Sequence, residues 1–184
     1  MTETLAQPLT DRETLPVELV DESGRAVGTC PVARAHDAPG LLHRAFSVVL
    51  FDTSGRILIQ QRAAVKTRFP MRWANTCCGH PAPGEPVAAA AAVRLAEELG
   101  LATTLTEVGV FRYHAADPET DRVESEWDHV LTGLLTADVP RPDPAEVADY
   151  RWVRPDALRD AILDNPDSYA PWLAGVLDVV DQHA

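Results

Sequence analysis

The sequence predicts one α/β domain: a sandwich built on a mixed sheet, with a strong central helix and further helices at the C-terminal end. Three observations predict it. A length of 184 residues suits one domain with a real core and leaves little for a second fold. Segments with strand patterning flank a single alanine-rich helix. The strands do not alternate one by one with helices, so the pattern is that of a sandwich and not of a doubly wound βαβαβ sheet. With 46% hydrophobic and 24% charged residues, the composition is ordinary for a globular chain and excludes a disordered, collagenous or coiled-coil protein.

Residues 1–15 are polar and unpatterned and read as a flexible leader, with the domain running over 16–184. The leader has no basic run and no long apolar core, so it does not resemble a signal or transit peptide. Val17 to Val20 and Ala26 to Cys30 read as strands around the turn Asp21 to Gly24. Ala45 to Phe51 and Ile57 to Gln61 form a second hairpin pattern, and Trp73 to Cys78 is a short extended piece ending at Gly79. From Glu85 to Leu99 the chain is rich in alanine, lacks internal glycine and stops at Gly100, as a helix with a glycine cap would. Thr103 to His114 and Val123 to Leu135 read as long strands joined by the turn cluster beginning at Asp117. Tyr150 to Val153 is a final strand, followed by helices over Pro155 to Leu163, with proline at its first position, and Ser168 to Gln182.

Twenty-eight acidic against sixteen basic side chains give a net charge of −12, which opposes binding to nucleic acid or anionic membranes. An anionic small substrate needs a local cluster of cations. The segment Arg62 to Arg72 supplies one, with four of the basic residues and no acid. The apolar runs, such as Phe46 to Phe51, fall far short of the roughly 20 residues a bilayer span requires. Three cysteines, Cys30, Cys77 and Cys78, make an odd count with two adjacent, so reduced thiols and a cytoplasmic setting are expected.

Four features could carry chemistry. In Asn75 to Pro81 a thiol, Cys78, and an imidazole, His80, lie two residues apart. A buried cysteine is usually a small apolar group, but the glycine after Cys78 and the nearby basic segment could expose its sulfur or lower its pKa. On the strand from Val123, period 2 sends Glu124 and Glu126 to one face, about 7 Å apart, where both could meet one cation. By itself such a row of acids is commonly a solvated stripe. His36 and His43 bracket a turn-rich segment and, with His80 and the two glutamates, offer a mixed nitrogen and oxygen set suited to a divalent transition metal. No spaced cysteine pairs exist for an all-thiolate zinc site. Last, Arg94 stands four residues before Glu98 on the helix, an arrangement that is often only a surface ion pair.

The spacing gives that pair more meaning. Gly79, five residues, Glu85, seven residues and then Val93 to Leu101 match most of the Nudix box, with Glu97 and Glu98 as its paired acids. Beyond the box, His36, Leu42 to Ser47, Asn75 to Pro81, Phe111 to Tyr113, Glu124 to Glu126 and Ala170 to Trp172 resemble, in order and spacing, the type 1 isopentenyl-diphosphate isomerases. The resemblance covers residues from about 17 to 175.

The resemblance implies a Nudix-like α/β/α sandwich and interconversion of isopentenyl and dimethylallyl diphosphate by allylic proton transfer, without flavin or nicotinamide. Cys78 and Glu126 then flank the alkene as acid and base, with Glu126 as the expected proton source and Tyr113 assisting. Trp172 is implied as the aromatic face for the carbocation, and Cys77 as a packing residue. The implied metal ligands are His36, His43, His80, Glu124 and Glu126, for Mn2+, Zn2+ or Mg2+. Because each imidazole must be deprotonated, activity should collapse in acid. A second Mg2+ is implied with the diphosphate, at Glu98 and Cys78, and Arg62, Lys66 and Arg94 match diphosphate-binding positions. The small-molecule substrate leaves the chain a monomer or a dimer.

Two departures stand out. Val93 and Arg94 occupy the box positions of an arginine and a glutamate, which removes one acid of the cluster that Nudix hydrolases use to activate water. Val32 stands where some relatives carry a basic residue, so one diphosphate contact is missing or supplied by Arg34. The competing expectations are a Nudix diphosphohydrolase, which would release phosphate and tolerate loss of Cys78, and a binding module that keeps only the shape.

Overall fold

In the computed structural model, which describes residues 11–183, alternating apolar residues sort the strands between two helical layers. The elements are β1 (Pro16–Val20), β2 (Ala26–Pro31), α1 (Val32–Ala35), β3 (His43–Asp52), β4 (Ile57–Arg62), β5 (Trp73–Ala74), β6 (Cys77–Gly79) and α2 (Val87–Leu99). They continue with β7 (Thr106–Ala116), β8 (Val123–Leu135), β9 (Val147–Val153), α3 (Pro155–Asp164) and α4 (Leu173–Asp181). The described strands form one mixed sheet in which β3 and β8 run parallel and the other pairs are antiparallel.

Strand β3 is the axis. Its run is apolar because it is covered on both faces: Phe46, Val48 and Leu50 pack with Leu95 and Leu99 of α2, while Val49 packs with Leu173, Val176 and Leu177 of α4. The same parity divides β8, where Leu131 joins the α2 side and Val130 the α4 side. Even positions from Glu124 to Val130 therefore look toward the α4 layer. The α/β/α sandwich expected from the sequence is the observed architecture.

Several elements differ from the sequence reading, and the larger differences have physical reasons. Helix α2 starts at Val87 instead of Glu85, because Pro86 is extended and the Glu85 carboxylate accepts from the Ala82 amide. The last helix starts at Leu173 instead of Ser168, since Pro166–Ser168 make a separate 3-10 turn and Tyr169 bridges to Trp73. The piece Trp73 to Cys78 is two strands: β5 pairs with β4 and β6 pairs with β3. Asn75 and Thr76 carry the chain across the gap where β3 and β4 part, and Thr76 Oγ1 donates to Leu58 O and accepts from Leu50 N, replacing missing ladder bonds. Four-residue α1 has no period to betray it in the sequence.

Of the segment expected to be a flexible leader, residues 1–10 lie outside the described residues. Its described end is an anchored turn: Arg12–Thr14 form a 3-10 turn capped by Asp11, and Glu13 pairs with Arg68 at 2.8 Å. Two glycines meet tight demands. Gly100 closes α2 in the left-handed region at φ 63°, with its amide bonded to Ala96 O. Gly79 sits where a Cβ would come within 2.8 Å of Phe46 and 3.3 Å of Arg94, so only glycine lets β6 lie this close to α2.

Candidate active site

Sheet register assembles the site. Parallel pairing puts His43 beside Glu126, and antiparallel pairing of β7 with β8 puts Tyr113 opposite the same residue. His36 caps α1, and His80 follows β6. Their rings cluster, with centroid separations of 4.7, 4.9 and 5.2 Å. One donor atom from each of His36, His43, His80, Glu124 and Glu126 falls within 4.8 Å of all the others.

The backbone fixes which nitrogens face the cluster. Nδ1 of His36 donates to Val32 O and Nδ1 of His43 to Leu41 O, both at 2.7 Å, so in the neutral rings each Nε2 presents a lone pair. Nε2 of His36 then faces Glu124 Oε2 at 2.8 Å, two acceptors pressed together unless a cation lies between them. His43 Nε2 is buried with no hydrogen-bond partner among the described residues and lies 3.6 Å from Glu126 Oε1. An orphaned buried nitrogen and opposed lone pairs suit a divalent cation, and backbone carbonyls behind the imidazoles hold them in the binding tautomer.

Charge follows from the same contacts. Burial alone would raise Glu126, but the nearby His43 and the hydrogen-bonded His80 outweigh that and hold it well below the ordinary carboxylate value. Burial pushes His80 down to about 4, so it stays neutral. Burial and the Glu126 charge drive the Tyr113 phenol well upward, so it stays protonated and donates to Glu126 Oε2 at 2.5 Å.

Cys78, Tyr113, Glu126 and Trp172 line one cavity of about 260 Å³. Of the two outcomes the sequence allowed for Cys78, the sulfur is partly exposed at the cavity but is not acidified. Burial first, and then the nearby Asp128, push Cys78 up to about 12, so it is a thiol. Its sulfur lies 3.2 Å from Asn75 Oδ1 and 3.7 Å from Ser47 Oγ, and Ser47 in turn donates to buried Asp128 at 2.8 Å. Cys77 is buried in the α2-side core. Trp172 stands at the start of α4, edge-on to Phe69 with centroids 5.5 Å apart.

Arg62, Lys66 and Arg94 line the same cavity. Arg62 is braced by the carbonyls of Arg68 and Phe69 and lies 5.4 Å from the Trp172 ring centre. Lys66 pairs with Glu146, and Arg94 pairs with Glu97, Glu98 and Glu146. Glu98 does not reach the cavity: it is buried behind Arg94, and its second oxygen accepts from Gln60 at 2.8 Å. A magnesium site there with Cys78 is therefore not preassembled, because Arg94 holds the carboxylate. Val32 lines the cavity while Arg34 is exposed and does not. Two cations that sequence reasoning missed complete the wall, Arg12 and Arg68. Arg68 carried a signal, since it belongs to the basic segment; Arg12 lay in the presumed leader.

A NUDIX domain matches residues 41–176. The chain is 71% identical to an isopentenyl-diphosphate Delta-isomerase of Nocardia farcinica over 91% of its length and 95% of that protein's. It is 49% identical to the protein of that name from Streptomyces coelicolor, over 90% of this chain and 83% of the other. Among solved structures, DR0079 from Deinococcus radiodurans superposes with a TM-score of 0.72 at 20% identity, covering 89% of this chain and 97% of that one, a likeness of fold alone. The chain belongs to the Nudix family and, within it, to the isopentenyl-diphosphate Delta-isomerases.

Proposed function

We propose that this chain interconverts isopentenyl and dimethylallyl diphosphate for isoprenoid synthesis, by adding a proton at one end of the allylic system and removing one from the other. The observation that carries the proposal is the shared cavity, into which a half-buried thiol, Cys78, and a carboxylate–phenol pair, Glu126 and Tyr113, all open. Glu126, fed by the Tyr113 hydroxyl, delivers a proton to the terminal methylene carbon. Cys78 takes one from the carbon next to the diphosphate-bearing methylene. The resting form, with a protonated thiol and an ionised Glu126, differs from the form that starts this direction only by one proton moved between the two groups. Each forward turnover leaves the thiol protonated and Glu126 ionised, and one proton passed back from Cys78 to Glu126 between turnovers restores the starting form.

The cation formed at the branched carbon needs a dry, electron-rich wall. Trp172 and Tyr113, with ring centres 5.9 Å apart, supply it, a contact worth about 2 kcal/mol when desolvated. Arg62, Lys66 and Arg94 take the diphosphate by exchanging carboxylate or ring partners for phosphate oxygens, and Arg12 and Arg68 add to the same wall. His36, His43, His80, Glu124 and Glu126 would hold Mn2+, Zn2+ or Mg2+, which would supply fixed positive charge beside Glu126. Glu98 could hold a Mg2+ brought with the diphosphate only if Arg94 turned away from it. The wall comes from a single chain, so no partner subunit is needed, and the three free cysteines fit a reducing cytoplasm.

A diphosphohydrolase is the rival within the same fold, but the box acids are already committed to Arg94 and Gln60. Incubation with isopentenyl diphosphate, Mn2+ and Mg2+ in heavy water should place deuterium in the allylic product with no phosphate released. Release of inorganic phosphate without label would replace the isomerase with the hydrolase.

A further inference from the structure

We infer, on the isomerase reading above, that Asn75 is a positioning residue: its single carboxamide oxygen orients both the acid–base thiol of Cys78 and the carbocation-facing indole of Trp172. Asn75 is fully buried in the crossing between β5 and β6. Its Nδ2 donates to Val48 O at 3.1 Å and Cys77 O at 2.9 Å. Two carbonyls can be met only by the nitrogen end of the amide, so the orientation is forced. The oxygen must then point toward the cavity wall. There it accepts from Trp172 Nε1 at 3.0 Å and from the Cys78 thiol at 3.2 Å, which uses both of its lone pairs.

This arrangement ties two parts of the reaction together. An indole has one donor and no acceptor, so the Oδ1 bond is what sets the rotation of the Trp172 ring within its apolar surroundings. The same oxygen accepts from the thiol, so the thiol and the indole share one anchor. A displacement of the Cys78 side chain is thus felt at the ring that lines the cavity beside it. The backbone bonds of Nδ2 alone would make Asn75 merely a brace for the β5–β6 crossing, and the shared oxygen is what distinguishes the two roles.

The test uses full-length enzyme with 15N-labelled tryptophan, whose four indole signals are assigned by the loss of one in Trp172→Phe. In folded Cys78→Ala, the Trp172 indole proton should shift while the other three stay in place. Asn75→Ala should move the same signal and lower kcat about 100-fold with KM changed less than about threefold. An unmoved Trp172 signal in Cys78→Ala overturns the inference, as does folded Asn75→Ala with kcat within about threefold of wild type. Should Asn75→Ala fail to fold, the Cys78→Ala spectrum decides alone. Inactive wild-type enzyme with a coupled indole signal would sink the isomerase reading instead, so the two failures are told apart.

Discussion

Two clusters of carboxylates flank the cavity, and they are neutralised in opposite ways. On the box helix and the strand connection beside it, Glu97, Glu98 and Glu146 are answered by Arg94, Lys66 and Arg12, cations carried by the chain itself. On β8, Glu124 and Glu126 face three imidazoles that are neutral in their metal-binding form, with Arg68 on one flank at 3.3 Å from Glu124. The first cluster is complete and the second is short of positive charge. The Nudix frame has thus kept its acidic helix but paired its acids with cations of the chain, and the demand for an added cation has moved to the histidine side.

The sharpest way to break this contrast is at the reacting pair. Cys78→Ala and Glu126→Gln should each lose turnover by several orders of magnitude while keeping the wild-type melting profile by circular dichroism. Retention of a tenth of the activity by either variant would remove that residue from the chemistry.

The next effect concerns the cation. His43→Ala should weaken Mn2+ binding by about a hundredfold in calorimetry, whereas Glu97→Gln on the other cluster should leave it nearly unchanged. Acidity sharpens the same contrast. Burial lowers His43, but the adjacent Glu126 carboxylate outweighs it and lifts the ring above its ordinary 6.5. A lifted pKa means that the proton competes with the metal from near neutrality downward, so Mn2+ affinity should fall steadily from pH 8 to pH 6. A flat profile across that range would mean the imidazoles are not ligands.

Smaller effects test the completed cluster and the packing around it. Arg94→Met leaves buried Glu98 without its cation and should cost about 3 kcal/mol in urea unfolding. A loss below about 1 kcal/mol would make the network a screened surface feature. Gly79→Ala forces a methyl against Phe46 and should cost about 1–3 kcal/mol by the same measurement.

Much of this was legible in the sequence. The long strands and the alanine-rich helix announced themselves by local pattern: β3 is a continuous apolar run covered on both faces, and β7 alternates partly buried with exposed residues. The histidines and glutamates could be named because they recur at family spacing. What stayed hidden depends on through-space partners. Nothing local reveals that Arg94 would seal Glu98 away from the cavity, that Arg68 would reach Glu124, or that Arg12 would reach the wall at all. The acidity of Cys78 was misjudged for the same reason: the nearby basic residues are plain in the chain, while its burial exists only once α4 and β7 have closed over it.

The pairing of His43 and Tyr113 with Glu126 makes the centre a property of strand alignment. A single residue gained or lost inside β8 would swing both acids to the opposite side, into the layer occupied by Leu95, and dismantle proton transfer and ion binding in one step. The exposed turn over residues 118–121, by contrast, can lengthen without touching that alignment. Grafting or library design in this enzyme should therefore vary the tips of the hairpin and leave its interior count alone.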